Sequence, residues 1–415
     1  MSPESRAHAK EGAESRKLRP RGSSQGGLRQ YNERVVLQAI RLHGALPGAE
    51  IARLTHLTAQ TVSLITKRLL DEGLLLKGAP VRGKVGQPSV PLALHPDGAF
   101  AVGVKIGRRS IDVLLVDFVG AVRRRWSRPY RYPEPQALLD FIAECLAELR
   151  GSLPAAELDR VQGVGIAMPF SLGGWRTLLE MPPEVAAAWQ QAAFESSVQR
   201  LTEWPVTLMK DTAAACVAEL VAGRGRSISS YLYVFLATFV GGGLVLDSHL
   251  RAGLHGNAGA IGSMPLGLPG RAGQAPAQLL SVASLLNLEQ GFAAAGLAPE
   301  AASDERALQA PWRAHTERWL ADTGAAIALA VNGTACLLDL ENVIVDGSIH
   351  ASLRDALREA IDRALDHYDW EGVTRPLLLP GSIGSDARAI GGALLPLHAN
   401  FAPDRALFLK VAEGV

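Results

Sequence analysis

Between residues 29 and 95 the apolar positions first recur at helical spacing and then switch to alternation. Val36, Leu37 and Ile40 make the inner face of a first helix, and a second short helix covers roughly 47–54 with Ile51 and Leu54 inward. Thr58 is placed to cap a third helix, in which Val62, Ile65 and Leu69 keep the helical period, and Gly73 stops it. The leucines at 74–76 open a strand. A loop rich in glycine and basic residues follows (KGAPVRGKVGQPS, 77–89), and Val90, Leu92 and Leu94 alternate as a second strand. This stretch predicts a small helical head closed by a hairpin.

From residue 96 to 415 strand-like and helix-like segments alternate, which predicts an α/β body long enough for two lobes and a cleft. VGVKI and IDVLLVD, split by a short polar turn, read as a hairpin. Helices are predicted near 135–150, 184–202, 212–222, 313–339, 351–369 and 384–398, and strands near 161–166, 206–209, 231–236, 243–247, 342–346 and 376–379. The most membrane-like segment, Tyr231–Leu246, is too short to span a bilayer and carries Gly241, Gly242 and Gly243, so it reads as two buried strands around a glycine loop. Residues 1–28 lack periodicity and mix Arg and Lys with Ser and Gly, the pattern of a flexible basic tail.

Composition narrows the class. At 415 residues, 48% apolar and 20% charged, the chain can bury a large core and has room for two to three domains. A net charge of +1 excludes a chain coated in basic charge and leaves room for a local nucleic-acid patch. Cys145, Cys216 and Cys336 are far apart, which argues against a disulfide framework or a thiolate zinc site and fits a reducing cytoplasm. The first 28 residues hold no apolar stretch suited to a signal peptide, so a cytoplasmic protein with no membrane partner is expected.

The head carries the first candidate chemistry. In AEIARLTHLTAQTVSLITKRLLDEGLL (49–75), Ile51, Leu54, Leu57, Val62 and Ile65 would form a small core holding the third helix outward, as a helix-turn-helix requires. Gln60, Thr61, Ser63 and Lys67 would then face DNA, the amide and hydroxyls reading base edges and the lysine neutralising phosphate. Arg82 and Lys84 sit at the tip of the basic loop, placed like a wing for backbone or minor-groove contact. The plain alternative is a helical bundle with a solvated face. The terminal position, the hairpin and the basic loop together favour double-stranded operator DNA as partner.

With DEGLL (71–75) and VGQPSVPLAL (85–94) in the head, the chain resembles the ROK family (repressors, open reading frames and kinases), in its repressor branch, from about residue 30 to the end. The resemblance implies a winged helix-turn-helix joined to a two-lobed, ribonuclease-H-like body of the actin and sugar-kinase type. It also allows the family's motifs to be tested singly. In VGVKIGRRSIDVLLVDFVG (102–120) Lys105 replaces the family's acid, and Arg108 and Arg109 fill a turn usually built of small residues for phosphate. Those arginines are either an anion site or the exposed tip of a hairpin. In PVTLMKDTAAACVAEL (205–220) Asp211 matches the catalytic base, with Lys210 where Asn is usual; a helix-capping Asp is the alternative. In LATFVGGGLVLDSHLRAG (236–253) Phe239 stands where glycine would admit phosphate. In HGNAGAIGSMPLG (255–267) Ala260 and Ser263 replace the sugar-binding Glu and the His, while His255 and Asn257 remain. The family's cysteine-rich zinc loop is replaced by LPGRAGQAPAQLLSVASLL (268–286), which has no Cys, His or acid, and Leu280 stands where the last sugar-binding Glu would be.

The expectation is therefore a DNA-binding regulator of carbohydrate-related genes with a non-catalytic body, no metal and no cofactor. It is expected to act as a homodimer or dimer of dimers. An ATP-dependent sugar kinase, and a regulator whose body binds no small ligand, are the alternatives. An effector would lie near Lys210, Asp211, His255 and Asn257, and the local cations would favour a sugar acid or sugar phosphate.

Overall fold

The computed structural model describes residues 25–80, 89–170, 181–191, 193–270 and 274–403. Among these, contacts divide the chain into two compact units, one holding the residues up to Leu94 and those from Phe401, the other His95–Asn400. The sequence reading ran the body on to residue 415. Instead the described residues from Phe401 group with the head, where Arg34 Nη1 donates to the Ala402 carbonyl at 3.4 Å.

In the first unit, α1 (Gln25–His43), β1 (Leu46–Pro47), α2 (Gly48–Thr55), α3 (Ala59–Asp71), β2 (Leu75–Lys77) and β3 (Pro91–Leu94) follow in order. The strands form an antiparallel sheet in the order β1-β3-β2. Val36, Leu37, Ile40, Ile51, Val62, Ile65 and Leu69 are buried together with Leu75, Leu92 and Leu94. Burying such a set removes enough apolar surface to hold three short helices that would not persist alone. The turn between α2 and α3 is chemically specified: His56 takes a left-handed conformation, φ 54°, and the Thr58 hydroxyl accepts the Thr61 N–H at 3.1 Å. Leu54 and Leu57, expected in this core, are only half-buried.

The second unit contains two five-stranded sheets of the same layout. The first, in the order β6-β5-β4-β7-β8, comprises β4 (Phe100–Ile106), β5 (Ser110–Asp117), β6 (Val122–Pro129), β7 (Val161–Met168) and β8 (Val206–Lys210). The second, in the order β11-β10-β9-β12-β13, comprises β9 (Tyr231–Leu236), β10 (Gly241–Leu246), β11 (His249–Arg251), β12 (Asn342–Gly347) and β13 (Leu377–Pro380). In each, three antiparallel strands are extended by two parallel ones. This duplication has no counterpart in a short sequence period.

On the first sheet pack α4 (Pro135–Ser152), α6 (Pro183–Gln191) and α7 (Phe194–Gln199), with the short α5 (Ala155–Leu158) between α4 and β7 in the chain, so the single helix expected over 184–202 is two. α8 (Asp211–Ala222) leads into the second lobe, which adds α9 (Leu280–Ala283), α10 (Leu285–Ala294), α11 (Arg313–Leu338) and α12 (Ala351–Leu365). α10 and β6 were not anticipated. VRRRWSRP is charged and mostly exposed, and LLNLEQGFAA keeps helical spacing at Leu285, Leu288 and Phe292 over only ten residues. α11 is long and apolar enough to cross a membrane by length and composition; more than half of that stretch is buried inside the body, where Gly324 allows close approach to Ala360 of α12. Tyr231–Leu246 forms β9 and β10, which bury nearly every residue.

α13 (Ala387–Phe401) closes the body, and its glycines decide how. A Cβ on Gly391 would lie 1.7 Å from the Ala214 carbonyl oxygen of α8, and one on Gly165 of β7 would lie 1.9 Å from the Gly392 carbonyl oxygen. α13 thus touches α8 and the first sheet backbone to backbone. α8 meanwhile packs through Ala215, Cys216 and Ala218 on Tyr231, Tyr233 and Phe235 of the second sheet. The glycine run 241–243 serves the same purpose: Cβ atoms at Gly241 and Gly243 would come within 2.7 Å of Thr212 Cγ2 and 2.5 Å of Cys216 Cβ.

Candidate DNA-reading face and ligand cavity

On α3, Gln60, Ser63 and Lys67 are exposed and share one face at spacings of three, four and seven, with the exposed Leu64 between them. Thr61 stands apart. It is half-buried, and its hydroxyl lies 2.8 Å from that of Thr58 at the exposed start of the helix. Behind this face α3 is anchored by Arg68 to Glu33 of α1 and by buried Thr66, whose hydroxyl returns to the Val62 carbonyl at 2.8 Å. Arg82 and Lys84 lie outside the described residues.

In the body, a cavity of about 450 Å³ opens where β8 meets α8. Lys210 ends β8 and Asp211 begins α8, so both reach the lining by strand-to-helix geometry. Asp211 is buried; one carboxylate oxygen accepts the Thr212 N–H at 2.9 Å, and the other lies 3.5 Å from Arg388 Nη1. Asn257 lines the cavity too, whereas His255, on the same loop, is exposed and does not. Ala260, Ser263 and Leu280 also form the wall, as do Thr238 and Phe239.

Arg388, the second residue of α13, was missed by sequence reasoning. It donates to Ser348 Oγ at 3.1 Å and sits 5.5 Å from the centre of the Phe235 ring. The available signal was weak: an arginine among small residues in SDARAIGG reads as a helix start, and only the glycine contacts of α13 bring it to Asp211.

The turn that would cradle phosphate is filled from within. Lys105, buried on β4, donates to Ser110 Oγ at 3.0 Å and to Asp112 Oδ2 at 2.8 Å. It lies so close that a Cβ on Gly107 would meet its Nζ at 3.0 Å. The Tyr130 hydroxyl donates to the Gly107 carbonyl at 2.5 Å and lies 2.9 Å from that of Ser110, pinning the turn. Burial, and then the charge of Arg388, hold the Lys105 ammonium below its ordinary pKa, although Asp112 and Asp211 oppose the shift. Asp112 is pulled below the usual carboxylate range; burial pushes it upward, but the Lys105 charge and hydrogen bonds from Lys105 and Ser127 outweigh that. Asp112→Ala strands a buried cation and is expected to cost about 3 kcal/mol, whereas Lys105→Met combined with Asp112→Leu should be close to neutral. The body's unfolding midpoint would distinguish them; equal losses would mean the pair carries no mutual compensation.

Arg108 and Arg109 are not a bare hairpin tip. Both donate to Glu289 Oε2 of α10, at 2.9 and 3.1 Å, tying the β4–β5 turn to the second lobe. Arg108 is largely buried and lines the cavity; Arg109 is half-exposed and does not. Among the described residues no group of three His, Cys, Asp or Glu side chains gathers as a metal site.

Comparison with known proteins agrees with this architecture. The xylose repressor of Bacillus subtilis is 22% identical over 243 residues, 59% of this chain and 62% of that protein. A ROK family transcriptional regulator described as a homologue of the E. coli MLC protein superposes with TM-score 0.65 at 21% identity, covering 91% of this chain and 98% of that one. A ROK family glucokinase from Streptomyces griseus, solved with glucose and AMPPNP, superposes with TM-score 0.56 at 19% identity over 72% of this chain and 99% of its own. These likenesses establish a mixed α/β body of the sugar-kinase type behind a helix-turn-helix head. The ROK family profile matches residues 101–399, and the chain belongs to the ROK family.

Proposed function

We propose that this protein is a DNA-binding transcription regulator, a repressor of carbohydrate-related genes, whose kinase-type body senses a small carbohydrate instead of phosphorylating it. The observation that carries the reading is the exposed polar face of α3, Gln60, Ser63 and Lys67, on a packed winged head. The similarity to a xylose repressor supports carbohydrate genes as targets. The non-catalytic body is supported by Lys105, whose ammonium occupies the turn where phosphoryl transfer needs backbone open to phosphate. Asp211 alone does not make a kinase, because a base without positioned phosphates has nothing to drive. Paired heads reading two half-sites call for a homodimer joined through the body, acting in the cytoplasm.

The test uses the full-length protein in two assays. Selection from fragmented genomic DNA should recover a few discrete sites containing inverted repeats, adjacent to carbohydrate genes. Incubation with ATP, magnesium and a panel of hexoses and pentoses should yield no sugar phosphate. ATP-dependent turnover abolished by Asp211→Asn would contradict the non-catalytic body, and recovery of fragments at random would contradict the regulator.

A further inference from the structure

Among the described residues lining the cavity, three cations, Arg108, Lys210 and Arg388, face one carboxylate, Asp211. Glu289 answers Arg108 from outside the lining but shares one oxygen with Arg109. Asp211 already receives the Thr212 N–H, and its contact with Arg388 is long. Lys210 makes no ion pair with any described residue, and Arg388 Nε is buried without a hydrogen-bond partner. The amino-terminal end of the twelve-residue α8 opens into the same space and adds positive potential. Burial first, and then the charge of Arg388, depress the Lys105 ammonium.

A neutral sugar presents hydroxyls that donate as well as accept, and their strongest acceptors are carboxylates. The side chains of Ala260 and Leu280 in the wall offer no acceptor, which leaves Asp211 as the one carboxylate among the described lining residues. An anionic group reverses the match: it only accepts, and here it would find guanidinium, ammonium and helix donors. The cavity, about 450 Å³, holds one monosaccharide derivative.

Resting on the proposed reading of this cavity as the effector site, we infer that its ligand is an anionic carbohydrate, a sugar acid or sugar phosphate, whose charged group is received by Lys210 and Arg388. Arg109, which the sequence placed with the anion site, has no part in it. Asp211 and Asn257 take the ligand's hydroxyls. Arg108, shared between the cavity and Glu289, couples occupancy to the contact between the lobes, because an anion nearby competes for its guanidinium.

The test is calorimetric titration of the full-length protein with hexoses, their matched aldonates and their 6-phosphates, and with inorganic phosphate alone. At least one anionic sugar should bind about tenfold or more tightly than its neutral counterpart. The aldonate and 6-phosphate arms tell the two sources of charge apart. Lys210→Met should remove most of that preference, and because Lys210 makes no ion pair with the described residues, its ligand-free unfolding midpoint should stay close to the parent's. Arg388→Gln should do the same to binding. Neutral sugars binding as tightly as the anionic ones, or a preference that survives Lys210→Met, would overturn the inference and leave the effector cavity standing. No binding by any sugar or by phosphate would overturn both and favour a regulator whose body takes no small ligand.

Discussion

Gly391→Ala is expected to destabilise the body by about 2 kcal/mol or more, even though alanine is the better helix former. The added Cβ would stand 1.7 Å from the Ala214 carbonyl oxygen and 2.4 Å from its carbon, and both are backbone. No side chain can turn aside, so α13 and α8 must separate. That separation also moves Arg388 from Asp211, since the two helices carry these residues three positions from the contact on either side. Ligand affinity should therefore fall along with stability. Gly291→Ala is the control. It lies inside α10 with nothing within 4 Å of its would-be Cβ, and the same change there should stabilise by about 0.5–1 kcal/mol through propensity and unfolded-state entropy. Thermal or urea unfolding of the two variants should give shifts of opposite sign. Shifts of the same sign would mean the close helix contact does not hold the body together.

The second large effect is on DNA. Gln60→Ala should cost about 1–3 kcal/mol on the preferred site and relax the preference at one base pair, because an amide pairs bidentately with a base edge. Lys67→Ala should weaken every sequence alike and reduce the salt dependence by about one unit, as expected of a phosphate contact; Lys84→Ala should behave the same way. Combining Gln60→Ala, Ser63→Ala and Lys67→Ala should lower affinity for the preferred site about a thousandfold, to the level of arbitrary DNA. All three side chains are exposed and bear no packing role, so the triple variant should keep the parent's unfolding behaviour. Competition binding with site and scrambled duplexes measures both terms.

The head was legible because its signals are local. Apolar spacing, a Thr cap and a stop at Gly73 act within a few residues, and the buried set Val36, Ile51, Val62, Ile65 and Leu69 matches that reading. The strand-end placement of Lys210 and Asp211 was legible for the same reason: a β-rich run breaks into an alanine-rich helix at that point. For Thr61 the helical phase gave an outward position, and the hydroxyl contact with Thr58 was not legible in the spacing. His255 was proposed from residue type, and only the loop's path puts Asn257 in the cavity lining while His255 stays outside it. Arg388 and Glu289 were invisible. Each meets its partner across 177 or more residues, and for Arg388 the packing of α13 is set by glycines whose backbone contacts no periodicity encodes.

The central claim is that sequence-specific DNA reading resides in α3 while the body performs no phosphoryl transfer. The most direct measurement takes the site selected from genomic DNA and compares binding by the full-length protein with binding by the triple α3 variant, at one salt concentration. The parent should prefer its site over scrambled DNA by about a thousandfold or more, and the variant should bind both equally. A variant that keeps the parent's preference would contradict the account, because the reading of DNA would then lie elsewhere in the chain.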